Sequence, residues 1–110
     1  MEITTFSLLG AVIEVVQERG EDFVYFGSCH YVIASGPSCL FGRALFKLGV
    51  SIDALYEGDK GQWSLREFLA NEGMHPLDAD AFVDAQYNQD HEMPYGEVLT
   101  KLVAKLNLSE

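Results

Sequence analysis

The apolar residues of this chain keep helical spacing, break it once, and then return to it. That single interruption does most to limit the fold. Phe6, Leu9, Ile13 and Val16 form one stripe, widened by Leu8, Val12 and Val15, so the first helix is expected to be deeply buried. It follows Thr4 or Thr5 as N-cap and runs to about Arg19, where Gly20 closes it. Gly10 inside it either costs about 1 kcal/mol against Ala or permits a close crossing. Then Phe23-Val24-Tyr25-Phe26 and His30-Tyr31-Val32-Ile33-Ala34, separated by Gly27 and Ser28, read as a β-hairpin of aromatic and β-branched residues. A lone hairpin is marginal in water, so one face must lie against helices.

Helical spacing returns after the Ser35-Gly36-Pro37-Ser38 turn. A helix is expected from about Cys39 to Leu48, with Ser38 as cap and Gly49 beyond its end. Residues 51–56 predict a short helical turn, and Glu57-Gly58-Asp59-Lys60-Gly61 a polar loop. Ser64-Leu65-Arg66-Glu67 is a capping box opening a brief helix that stops near Gly73. A further helix runs from His75-Pro76 to about Asp90, and a last one starts near Pro94 with the stripe Val98, Leu99, Leu102, Val103 and Leu106. The fold class this predicts is α+β, mainly helical, with about five short helices packed around one antiparallel β-hairpin in a single domain, 1–110.

Charge is distributed less evenly than hydropathy. Residues 1–50 carry three basic and five acidic side chains, whereas residues 51–110 carry four basic and twelve acidic, most of the formal charge of -10. Between Glu67 and Thr100 stand eight carboxylates (Glu67, Glu72, Asp78, Asp80, Asp84, Asp90, Glu92, Glu97) and no Lys or Arg. A surface of that sign repels nucleic-acid phosphates and anionic membranes, and draws basic surfaces toward it. No apolar run approaches the roughly 20 residues that cross a bilayer. The stretch Phe6–Val16 lacks a basic flank and a small-residue cleavage pattern, so it reads as a core helix and not a signal peptide. Two cysteines, Cys29 and Cys39, suit a reducing compartment, with buried thiols favoured over a bridge, and predict a cytoplasmic location.

The segment Cys29-His30-Tyr31-Val32, then Pro37-Ser38-Cys39-Leu40-Phe41-Gly42-Arg43-Ala44-Leu45 and Ala85-Gln86-Tyr87-Asn88-Gln89-Asp90, resembles small proteins of actinobacteria and their phages. Their pattern is C-x-Y-V, P-S-C-L-x-G-R-A-L and A-Q-x-x-Q-D, and Tyr95-Gly96-Glu97 follows where they often show Trp-Gly. The resemblance spans roughly residues 29–98. It implies a phage or bacterial origin, with the bacterial host cytoplasm as the setting, and carries no assigned activity or catalytic residue.

Sites for chemistry are thin. His75, His91, Asp78, Asp80, Asp84, Asp90 and Glu92 are ligand types, but their spacing matches no metal motif, so no metal or cofactor is expected. Cys39, His30 and Arg43 around the hairpin are the one set from which a small enzyme or ligand-binding protein could be built. Arg43 and Lys47 are expected to pair with carboxylates of the acidic half. Trp63 stands evenly between core and interface anchor, whereas Tyr87 falls opposite Phe82 and Ala85 and so on the surface. The favoured reading is a non-enzymatic module that binds a basic surface of a larger protein through Asp78, Asp80, Asp84, Tyr87, Asp90 and Glu92. In a phage setting that partner is a host factor or a nucleic-acid-directed defence complex, which the protein would inhibit. A small enzyme or ligand-binding protein and a homo-oligomeric structural protein are the alternatives.

Overall fold

A computed structural model describes residues 3–27 and 30–108. Its elements in chain order are α1 (Thr5–Arg19), β1 (Val32–Ile33), β2 (Gly36–Pro37), α2 (Leu40–Lys47), α3 (Ile52–Asp59), α4 (Leu65–Asn71), α5 (Pro76–Asp90) and α6 (Tyr95–Leu108). The fold is α+β and mainly helical, with a two-stranded antiparallel hairpin. α1 packs on α2, α5 packs on both α4 and α6, and α6 closes back on α1. Leu8, Val12 and Val15 of α1, Leu40, Phe41 and Leu45 of α2, Phe82 of α5 and Val98 and Leu102 of α6 meet in the core. Phe41 and Phe82 cross edge to face there, with ring centroids 6.2 Å apart.

The hairpin is not where residue preference puts it. Val32 pairs with Pro37 and Ile33 with Gly36, so the Ser35-Gly36-Pro37 turn region supplies the second strand. Phe23–Phe26 forms no strand. Its backbone serves a different partner: the Phe23 carbonyl accepts from Tyr95 N–H at 2.8 Å, and the Glu21 carbonyl accepts from Gly96 N–H at 2.8 Å. The segment therefore satisfies the first free donors of α6, and Phe23 and Tyr25 pack against the core without a ladder while Phe26 stays exposed. Ser28 of the expected turn, with Cys29, lies outside the described residues.

Three other expectations are corrected. The buried face of α1 is Leu8, Ala11, Val12, Val15 and Val16, while Phe6 is 79% exposed. α2 is capped by Cys39 and not Ser38: Gly42 N–H donates to Cys39 Sγ at 3.4 Å, and the Ser38 hydroxyl is bonded instead to the Tyr25 hydroxyl at 2.9 Å. α3 runs through Glu57, Gly58 and Asp59, where a loop was expected. Trp63 holds this extension, because its ring lies where any side chain on Gly58 would be and its Nε1–H donates to the Ala54 carbonyl at 3.1 Å.

Candidate functional site

α5 carries the residues from which a surface site can be built. The helix starts at His75, whose Nδ1 accepts from Leu77 N–H at 3.1 Å, followed by Pro76 in its first turn. Its 3.6-residue repeat sets Asp80, Asp84, Tyr87 and His91 in one line. That line forms a crest with α4 on one side and α6 on the other. Asp80 is ion-paired with Arg66 of α4, and Asp84 with Lys105 of α6. Tyr87 is 62% exposed, and its ring stacks on His91 with centroids 4.0 Å apart. The His91 Nδ1 lies 2.8 Å from the Tyr87 carbonyl, which holds the imidazole against the phenol.

A groove of about 320 Å³ runs beside the crest on the α4 side, lined by Ser64, Leu65, Arg66, Val83, Gln86, Tyr87 and Asp90. Asp90 is half-buried there and accepts from Gln89 Nε2 at 2.7 Å. On the α6 side, Asn88, Lys101 and Lys105 edge a smaller hollow. The arrangement offers an exposed, pre-positioned aromatic ring, a carboxylate in the adjoining groove and two ion pairs on its flanks. It is suited to contact with another surface.

Of the six residues expected to bind a partner, Asp80, Asp84, Tyr87 and Asp90 are brought together. Asp78 faces elsewhere: its Oδ2 accepts from the Thr5 hydroxyl at 2.8 Å and ties α5 to the start of α1. Glu92 stands at the turn after α5 with φ 64°, a backbone role. The single-sign character of the edge is also corrected. Arg66 and Lys105 lie just outside the window free of Lys and Arg, and the helical hairpins fold both back onto it. His91 was missed as part of the surface site; its i,i+4 spacing from Tyr87 is the signal for the stack.

The set Cys39, His30 and Arg43 does not form a thiol site. Cys39 is fully buried and disulfide-bonded, which overturns the expectation of a free thiol; Cys29, the other cysteine of the sequence, lies outside the described residues. His30 is exposed, and its carbonyl accepts from Cys39 N–H at 3.0 Å. Arg43 Nε–H donates to the Ser38 carbonyl at 3.2 Å. Lys47 pairs with Glu18 and Glu14 of α1, not with the acidic half, and the Glu18 hydrogen bond raises its pKa.

Trp63, Tyr95 and Tyr31 pack into the interior, whereas Tyr56 is exposed. Trp63 packs against both Tyr31 and Phe68, with centroids 5.0 Å and 4.9 Å away. Tyr95 is fully buried and donates its hydroxyl hydrogen to Gln89 Oε1 at 3.2 Å, an oxygen that also accepts from Leu40 N–H at 2.9 Å. Burial holds the Tyr95 phenol far above its ordinary pKa. Burial likewise pushes the Tyr31 phenol up to about 12, and its hydroxyl donates to Gln86 Oε1 at 3.1 Å.

Among the described residues, no group of three or more His, Cys, Asp or Glu is placed to hold a metal ion. Among the described residues no helix is long and apolar enough to cross a membrane. In comparisons with known proteins, no family model matches the chain, and neither a curated protein nor a solved structure matches it.

Proposed function

We propose that the protein is a non-enzymatic binding module that sets the crest of α5 against a basic surface of a larger protein. Tyr87 carries this reading: a large ring, mostly exposed, is already held in place by His91 beside a groove that contains Asp90. An aromatic anchor fixed before binding contributes contact area at little cost in side-chain entropy. Asp80 and Asp84 flank it on the same line, each paired with a basic residue of its own chain and each still half-exposed. A partner's arginine can join such a pair, and the formal charge of -10 speeds its approach. In the phage or bacterial setting that the resemblance implies, inhibition of a host factor or of a nucleic-acid-directed defence complex is the role that fits.

A fluorescent oligo-arginine peptide tests the surface by polarisation at low and high salt. Binding is expected to weaken with salt, and Tyr87→Ala to weaken it a further tenfold, about 1.4 kcal/mol, without a change in net charge. Leu77→Ala, which removes another exposed side chain (54%) at the opposite end of α5, should change nothing. Equal affinity for wild type and Tyr87→Ala removes the assignment.

A further inference from the structure

Acidity alone does not describe the groove beside the crest of α5. Tyr87 forms one wall, Leu65 and Val83 supply apolar surface, and Gln86 and Asp90 bring an amide and a carboxylate into the same space of about 320 Å³. Helical spacing accounts for the grouping: Val83, Gln86, Tyr87 and Asp90 stand three or four residues apart, so they share one flank of α5. The volume lies at the small end of ligand sites and suits one long side chain, not a second helix. Arg66 is the only cation in the lining, and Asp80 pairs with it, so Asp90 sets the sign of the groove.

Its polar groups are held before any ligand arrives. Gln86 Oε1 accepts from the hydroxyl of the buried Tyr31 at 3.1 Å, which fixes the turn of the Gln86 amide. Asp90 is half-buried and accepts from Gln89 Nε2 at 2.7 Å, and Gln89 itself is fully buried. His91 stacks on Tyr87 with centroids 4.0 Å apart and an interplanar angle of 29°, so it covers one face of the phenol, and the rest of the ring borders the groove.

We infer that this groove receives one arginine side chain of the partner protein and distinguishes it from lysine. The inference rests on the crest of α5 being a binding surface, and it names the residue that the surface reads. The aliphatic stem of an arginine lies along Leu65 and Val83, as long cationic side chains do on apolar surface. Its planar guanidinium stacks on Tyr87 and donates to the Asp90 carboxylate. A lysine ammonium is a compact, strongly hydrated point charge, so it meets the carboxylate but gains little from the flat wall.

Fluorescent oligo-arginine and oligo-lysine peptides of equal length test the groove by polarisation at one salt concentration. The wild type is expected to bind oligo-arginine about tenfold more tightly. Asp90→Asn and Tyr87→Leu should each remove most of that preference, whereas Tyr87→Phe, which keeps the ring, should retain it. Glu57→Gln removes the same charge as Asp90→Asn from an exposed site outside the groove, and should leave the preference unchanged. If a groove variant fails to fold, the wild type decides: nuclear Overhauser contacts are expected between the Tyr87 ring protons and the arginine δ-methylene. Equal affinity for the two peptides, absence of those contacts, or an equal loss of preference in Glu57→Gln overturns the arginine groove. Where the two peptides bind equally but Tyr87→Ala still weakens both, the crest of α5 stands without it. Failure of both peptides to bind removes the crest and the groove together.

Discussion

Gly42 and Gly10 show how differently one residue type is used in neighbouring helices. A Cβ on Gly42 would stand 2.1 Å from the Tyr31 carbonyl oxygen, so the start of the hairpin lies directly on α2. Gly42→Ala must push backbone away from backbone, and it is expected to destabilise the protein by about 2–3 kcal/mol in urea denaturation. Gly10 has nothing within 4 Å, and its site in mid-helix is exposed. Gly10→Ala should therefore stabilise by about 1 kcal/mol in the same measurement. The sequence left both uses of Gly10 open, since a glycine's need for space is set by what crosses it. Tyr87 and Trp63 make the same point for aromatic residues. Helical phase alone placed Tyr87 outside, but nothing in the local pattern told that Tyr31 and Phe68 would close over Trp63.

Four of the six helices end in the same way. After α2, α3, α4 and α5 the chain turns through a left-handed residue, at Gly49, Gly61, Gly73 and Glu92. In each case that residue's N–H donates to the carbonyl three back, and the next N–H to the carbonyl five back: Gly49 to Phe46 and Val50 to Leu45, and likewise Glu92 to Gln89 and Met93 to Asn88. This is the Schellman closure, and only α5 makes it without glycine. Glu92→Gly is expected to raise stability by about 1 kcal/mol, read as a higher midpoint in thermal or urea unfolding. If Glu92 also met a partner, that variant would lose affinity while gaining stability, so the two roles separate cleanly. Such terminations explain why helix ends were legible: Gly49 and Gly73 mark them, and Ser64 with Glu67 marks a start by a reciprocal cap. Strands were less legible, because the backbone of Phe23 found its partner in α6, far away in sequence.

Across the molecule, the charge pattern was the least faithful guide. A window along the chain shows no base between Glu67 and Thr100, but antiparallel helices bring Arg66 to Asp80 and Lys105 to Asp84. Linear charge segregation thus overstates the field at the surface. The interior makes a prediction of its own. Tyr31 has its pKa raised from 10.0 to about 12, chiefly by burial, and Tyr95 is raised in the same direction. The folded state holds these protons more tightly than the unfolded chain does, so the stability they contribute is whole below pH 10.0 and is lost as pH climbs through about 12. Circular dichroism and tyrosinate absorbance should therefore change together above pH 10.0 for the buried phenols, and Tyr31→Phe should shift the transition upward. The bonds from Tyr95 and Gly96 to Phe23 and Glu21 carry a consequence for synthesis. A ribosome delivers the accepting carbonyls of Glu21 and Phe23 long before the donating amides of Tyr95 and Gly96, so this contact closes only once the start of α6 has emerged.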